Sequence, residues 1–196
     1  MSEKPEAFTI RPARLSDAAA LAAIYAPYVQ NTTVTFEYEA PDVTEFTRRI
    51  REIASTYPYL VAEADGKIVG YAYAHRYAVR AAYDWSAETS VYLDPACCGR
   101  GVGKALYDAL LGLLTVQRVQ NVFAIIAIPN EASVGFHRAL GFARVGKARQ
   151  AGYKKDRWLD TETYELALGE HRVPPDPVIP FSALSEETVV FFCKRK

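Results

Sequence analysis

Ser86-Ala-Glu-Thr-Ser-Val-Tyr-Leu-Asp-Pro-Ala-Cys-Cys-Gly-Arg-Gly-Val-Gly-Lys-Ala-Leu106 is the stretch that decides how this chain is built. Its start alternates: Glu88, Ser90 and Tyr92 fall on one face and Ala87, Thr89, Val91 and Leu93 on the other, the pattern of a strand packed on one side. Asp94-Pro95 ends the strand. Gly99, Gly101 and Gly103 follow, with Arg100 and Lys104 among them, and Val102, Leu106, Leu110 and Leu113 then repeat at helical spacing. The order is strand, glycine loop, helix start. Such a loop presents unpaired N–H groups at the positive end of a helix and lets a phosphate approach the backbone closely. Two familiar glycine loops fail on spacing. A Walker loop needs glycine at position 98 and Ser or Thr at 105, where Cys98 and Ala105 stand. A dinucleotide loop counted from Gly99 or Gly101 puts its third glycine at Lys104 or Leu106. On the loop alone, an anion cradle and a glycine-rich helix cap are both open.

Upstream, residues 59–64 and 67–74 read as two strands joined by Asp65-Gly66, a dipeptide suited to a two-residue hairpin. Residues 8–11 suit a short first strand. Ser16 is the expected cap of a helix carrying Leu21, Ile24, Tyr25 and Tyr28, which Pro27 should distort near its end. Residues 31–38, including Phe36, lack an apolar face and read as a loop or extended wall. A second helix starts at Asp42 or Thr44 and buries Val43, Phe46, Ile50 and Ile53. Downstream, residues 121–128 form a nearly continuous apolar run, expected to be a strand buried on both faces. A helix capped by Asn130 and stopped by Gly141 comes next, then strands near 142–153 and 158–168. The class is α/β (α+β) with one continuous sheet.

Composition bounds the function. Half of the 196 residues are apolar and 23 acidic residues balance 23 basic ones, which suits one domain and gives no broad attraction for nucleic acid or an anionic membrane. The partner expected is a small molecule. The first residues lack the apolar core of a signal peptide and no run is long enough to span a bilayer, so the chain reads as soluble and cytoplasmic. Cys97, Cys98 and Cys193 match neither a zinc cluster nor a disulfide framework, so no metal is expected. The tail from Val173 is rich in proline, which lacks a donor, and should run extended over the surface. Its last apolar run, residues 188–192, is left between pairing with a sheet edge and disorder.

The segments Tyr57-Pro-Tyr-Leu-Val-Ala-Glu63, Arg80-Ala-Ala-Tyr-Asp-Trp-Ser-Ala-Glu-Thr-Ser-Val-Tyr92, Gly99-Arg-Gly-Val-Gly-Lys104, Pro129-Asn130 and Ser133-Val-Gly-Phe-His-Arg-Ala-Leu-Gly-Phe142 together resemble the GNAT acyltransferases, and among them the phosphinothricin N-acetyltransferase group. The likeness runs over roughly residues 8–182. It departs at Cys98, where the family loop usually opens with Gln or Arg. The resemblance implies a single mixed, mostly antiparallel sheet of six to seven strands with about four helices. Residues 1–172 would form the N-acetyltransferase domain, and 173–196 the proline-rich tail and extension.

It also implies chemistry. Acetyl transfer to an amine needs the donor held still, a neutral amine, a stabilised oxyanion and a proton for the departing thiolate. Acetyl-CoA is the implied co-substrate. Gly99, Arg100, Gly101, Val102, Gly103 and Lys104 would hold its pyrophosphate, Val91, Tyr92 and Leu93 would pair with its pantetheine arm, and Asn130 would join them. Glu88 matches the family's general base; read alone, it is more often a surface carboxylate paired with an arginine, and the surrounding motif reverses that preference. His137 stands where many relatives carry a tyrosine thought to protonate the thiolate, and its alternative is a helix histidine bonded to backbone. His75 and His171 lie outside any motif and are taken as structural.

The substrate expectation is an acidic or zwitterionic amino acid, since an arginine fork at Arg80, with Arg76 beside it, suits an oxyanion. Phe36, Tyr83, Glu88, Thr89 and Tyr92 would complete that side. The resemblance points to the α-amino group of phosphinothricin, methionine sulfoximine or methionine sulfone. A GNAT enzyme acting on another amine, such as a protein N-terminus, is the alternative. A homodimer is expected from the family.

Overall fold

The computed structural model describes residues 8–194. Strands β1 (Phe8–Pro12), β2 (Tyr59–Ala64), β3 (Lys67–Arg76), β4 (Ser86–Leu93), β5 (Asn121–Ile128), β6 (Ala143–Lys154) and β7 (Arg157–Ala167) form one sheet in the order β1-β2-β3-β4-β5-β7-β6. Every pairing is antiparallel except that of β4 with β5. Five helices surround it: α1 (Ala18–Asn31), α2 (Val43–Ala54), α3 (Val102–Val116), α4 (Glu131–Ala139) and α5 (Glu186–Lys194).

The alternation along β2 shows why both faces are covered. Tyr59 and Val61 point to the side of α1 and α2, where Leu21, Val29, Phe46 and Ile50 are buried. Leu60 and Ala62 point to the other side and meet Leu106, Leu110, Leu113 and Leu114 of α3. Trimming any one of these fully buried leucines to alanine removes roughly 2–5 kcal/mol. The Asp65-Gly66 turn takes φ of 50° and 73°, the paired left-handed residues of a tight hairpin, which fixes Ala64 opposite Lys67.

Several expectations change. Ser16 does not cap α1: a 3₁₀ turn at Leu15–Asp17 precedes it. Asp17 organises that turn, accepting from the Arg14 N–H at 2.7 Å and from Arg11 at 2.7 and 3.0 Å. Pro27 lies within the last turns of α1, which ends at Asn31. Asp42, not Thr44, caps α2, its side chain accepting from the Glu45 N–H at 2.8 Å. Val43, at the first helical position, is 49% exposed and stays out of the core. In β5, Ile125 is 48% exposed, because the sheet opens beside it.

The tail is the largest difference. It runs extended to about residue 180, strapped by the Trp85 indole donating to the Asp176 carbonyl and the Gln117 amide donating to the Ile179 carbonyl. Residues 188–192 then neither join a sheet edge nor lack structure. They lie in α5, which places Phe192 over Gly112 of α3, where an added Cβ would fall 2.3 Å from the ring, and buries Cys193. Alternation is absent from Thr188-Val-Val-Phe-Phe192, and a short apolar run cannot by itself distinguish strand from helix.

Candidate active site

The site begins where two parallel strands separate. β4 and β5 pair only over Ser86, Ala87 and Glu88 against Asn121, Val122 and Phe123. Thr89 Oγ1 donates to the Phe123 carbonyl at 3.1 Å, and beyond that bond the strands diverge. The backbone edge of β4 from residue 89 onward is therefore left without a strand partner on that side. A cavity of about 390 Å³ fills the gap, walled by residues 89–93, by Ala124, Ile125 and Ile126, by Ser133, Phe136 and His137 of α4, and by the glycine loop.

That loop is held by local bonds. Asp94 accepts from the Ala96 N–H at 2.9 Å, a short turn at Pro95–Cys97 follows, and Gly99 and Gly101 adopt φ of 76° and 84°. Space is open around both, so it is the left-handed backbone that asks for glycine. Gly103 is different: an added Cβ would touch the Leu93 and Phe136 side chains at 3.4 Å, an ordinary contact where β4, α3 and α4 come together. The first N–H groups of α3 have no partner within the helix and lie at its positive end beside the cavity. Lys104 is exposed and pairs with Asp108 at 2.6 Å, turning its charge along the helix. Exposed Arg100 and Cys98 flank the loop, and the Cys98 thiol donates to the Asp94 carbonyl at 3.8 Å. Asn130 caps α4 by accepting from the Ser133 N–H at 3.2 Å and lines the same cavity.

Glu88 sits on the other face of β4, at the point of separation. The strand registers place His75, Glu88 and Phe123 in one row across β3, β4 and β5. Phe123 stacks on Tyr77 at 4.3 Å between centroids, and Tyr83 meets Tyr77 at 5.9 Å. Burial raises the Glu88 carboxyl above the ordinary range, partly opposed by His75, whose Nε2 lies 3.8 Å from Glu88 Oε1. A carboxylate in that position is a better proton acceptor than a solvated one.

His137 is buried with both nitrogens engaged. Nδ1 lies 2.8 Å from the Ser133 carbonyl, which can only accept, so the proton is on Nδ1. Nε2, 3.0 Å from the Tyr107 hydroxyl, is then the acceptor in a neutral ring. Burial lowers its pKa, with the Ser133 bond opposing. The protonated donor expected from the sequence is thus disfavoured by its surroundings. Tyr107 is also within 3.3 Å of Thr89 Oγ1, and burial raises its hydroxyl pKa.

The expected substrate residues divide. Thr89 turns toward α3 and donates its hydroxyl to the Phe123 carbonyl, with the Tyr107 oxygen 3.3 Å away. Tyr92 shares the Glu88 face but packs edge-on against Tyr25 and Tyr28, with centroids 4.7 and 5.4 Å apart. Tyr83 is exposed and joined to Glu88 through Tyr77 and Phe123. Arg80 is exposed at the start of the Ala81–Tyr83 turn, and Arg76 pairs with Asp84 at 3.2 Å. Phe36 lies over Gly152. Its loop is clasped by buried Lys154 donating to the Thr35 carbonyl at 2.8 Å and by Arg49 pairing with Glu37 at 2.8 Å. Sequence reading missed Phe123, Tyr77, Tyr107 and the pairing of His75 with Glu88. Only the β3–β4 register could have exposed that pairing, and the long connection between those strands hides it. Among the described residues no group of three or more His, Cys, Asp or Glu side chains is placed to hold a metal ion, and no helix is long and apolar enough to cross a membrane.

A sheet parted between parallel strands, with a glycine loop at a helix N-terminus and a desolvated carboxylate beside the gap, matches an acyltransferase architecture. A family profile described as Acetyltransferase (GNAT) domain matches residues 10–162. The chain is 36% identical to a phosphinothricin N-acetyltransferase of Streptomyces viridochromogenes over 94% of this chain and 100% of that one. It is 41% identical to a phosphinothricin N-acetyltransferase of Alcaligenes faecalis over 83% of each chain. The crystal structure of a phosphinothricin acetyltransferase from Sinorhizobium meliloti in complex with AcCoA superposes with a TM-score of 0.82 at 36% identity, covering 89% of this chain and 97% of that one. This chain belongs to the GNAT acetyltransferase family.

Proposed function

We propose that this acetyl-CoA-dependent N-acetyltransferase acetylates the α-amino group of phosphinothricin or a related glutamate or methionine analogue, by direct attack in a ternary complex with Glu88 as general base. The observation that carries the reading is the position of Glu88: it is the last residue of β4 paired with β5, one residue before the cavity that residues 89–93 wall where the two strands part. A donor entering from the α3 side and an amine entering from the Glu88 side meet in the gap. The similarity to phosphinothricin N-acetyltransferases supports the substrate class.

The residues present suit acetyl-CoA. The open backbone edge of Val91, Tyr92 and Leu93 is available to an extended amide-bearing arm, and the amides of Gly99 to Lys104 with Asn130 nearby suit a pyrophosphate. When bound, the thioester supplies an activated acetyl group. Glu88 takes the proton that keeps the amine as ammonium, and its desolvation brings its affinity for that proton closer to working pH. Tyr77, Phe123 and Tyr83 exclude water beside it. Arg80 offers its guanidinium to the substrate's acidic group, and Phe36 closes the far wall. His137, neutral and buried, is assigned to holding Tyr107 and the α4 wall rather than to giving up a proton as an imidazolium.

Release of CoASH is measured with phosphinothricin, methionine sulfoximine, methionine sulfone and an N-terminal peptide as amines. Turnover should be highest with the free amino-acid analogues and fall about 10²–10⁴-fold in Glu88→Gln, the range for loss of a general base. Preference for the peptide rejects the substrate class. Unchanged turnover in a folded Glu88→Gln rejects the base.

A further inference from the structure

We propose that His75 is the positioning partner of Glu88 and the route by which its proton leaves for solvent. The inference rests on Glu88 being the base. His75 lies directly across from Glu88 in the antiparallel β3–β4 pair. Its Nδ1 is 3.0 Å from the Arg76 carbonyl, an obligatory acceptor, so Nδ1 carries the proton and Nε2 presents a lone pair. That Nε2 is the atom facing Glu88, at 3.8 Å from Oε1. Once Glu88 has taken a proton, an approach of about an ångström lets its O–H donate to Nε2, and such bonds are commonly long until substrate is in place. The Tyr73 ring, 6.0 Å from the imidazole between centroids, packs along one side of it.

Among the described residues, the neighbour in the Glu88 row that can accept its proton is His75. Toward β5 its neighbour is Phe123 under Tyr77, which accepts no proton. Toward β3 stands His75, whose side chain is 37% exposed against 23% for Glu88. The other ionisable groups that face the pair are committed. Half-buried Tyr73 and buried Tyr107 are phenols with raised pKa, Arg76 and Asp84 pair with each other, and Glu165 lies beyond Phe123 in the same row. Glu37 and Arg49, which also act on Tyr73, form their own ion pair.

The relay balances simply. An N–H bond of the ammonium breaks as an O–H bond forms on Glu88. That O–H bond then breaks as an N–H bond forms at His75 Nε2, leaving a carboxylate and an imidazolium. The imidazolium gives the Nε2 proton to bulk water and returns to its starting tautomer.

The test compares His75→Gln, His75→Ala and Glu88→Gln in the full chain, following CoASH release against pH with saturating acetyl-CoA and a varied amino-acid acceptor. Glutamine can hydrogen-bond but cannot carry a proton. Both His75 variants should lose about tenfold in kcat, less than the 10²–10⁴-fold loss at the base itself, with the KM for acetyl-CoA unchanged. Imidazole added to the buffer should restore kcat in His75→Ala. The acidic limb of kcat/KM should move to higher pH in both, because the neighbour that opposes the burial-driven rise of the Glu88 pKa has gone. Restoration of activity by glutamine alone, or wild-type kcat with an unmoved pH profile and no response to imidazole, overturns the relay. If Glu88→Gln is inactive while the His75 variants behave as wild type, the relay alone falls. If Glu88→Gln is fully active, the base assignment falls and the relay with it.

Discussion

The glycine loop of residues 94–104 and the loop of residues 32–38 flank the same split in the sheet, yet different kinds of contact hold them. The first is shaped within itself: Asp94 bonds to Ala96 two residues on, and glycines supply the left-handed turns at 99 and 101. The second is shaped from far away. Thr35 takes its bond from Lys154, Phe36 rests on Gly152, and Glu37 is tied to Arg49 of α2. On the proposed reading, a phosphate-bearing donor would meet backbone dictated by neighbouring residues and an amine would meet side chains assembled by the tertiary fold. Changes in the second loop should therefore act through packing, and changes in the first through backbone angle.

Gly152→Val gives the largest effect expected of this contrast. A Cβ at Gly152 would stand 2.2 Å from the Phe36 ring, so the ring has to leave its place. Overpacking of this kind costs about 1–3 kcal/mol, read as a lower melting temperature or urea midpoint. The KM for the amino-acid acceptor should rise while that for acetyl-CoA stays within error. An equal rise in both constants would break the separation between the two loops.

Gly101→Ala is the counterpart on the donor side. The residue has φ of 84° with open space around it, so alanine meets no clash and bears only the left-handed penalty of about 1–2 kcal/mol. Relaxation of that angle re-aims the first amides of α3, and calorimetry should show weaker acetyl-CoA binding with acceptor KM unchanged. Full affinity in the variant would mean that Arg100 and Lys104, rather than the amides, carry the grip.

The same contrast explains what could be read from the sequence. The strand, the glycine loop and the α3 stripe were legible because turn chemistry and periodicity are local, and so was the Asp65-Gly66 hairpin. The family resemblance extended that reading to one mostly antiparallel sheet, and the structure agrees with seven strands. What failed depended on distance in the chain. The His75–Glu88 pairing needs a register set by the nine residues between β3 and β4, with no tight turn to announce it. The burial that lowers the His137 pKa comes from packing against other elements, Tyr107 of α3 among them. Ser16 looked like a cap because its type suits one, but Asp17 had an arginine from β1 to bind and took over the turn. The terminal helix was illegible because its apolar face is defined by Gly112, on a surface that the sequence of α5 does not contain.

The smallest effect separates the base from its scaffold. Burial raises the Glu88 pKa in the folded protein, and in the unfolded chain the carboxyl returns to its ordinary value. With the folded value higher, the group's contribution to stability is complete below the unfolded pKa and is lost as pH rises through the folded one. At neutral pH the ionised Glu88 is therefore a burden on the fold. Glu88→Gln removes that charge, so at pH 7 its melting temperature should exceed that of wild type, and the gain should vanish near pH 4, where both side chains are neutral. Loss of turnover together with a gain in stability is the signature of a group kept for chemistry at the expense of packing. A Glu88→Gln variant less stable than wild type at pH 7 would mean that the carboxylate holds β4 against β3 through His75, and the desolvation argued for its basicity would have to be abandoned.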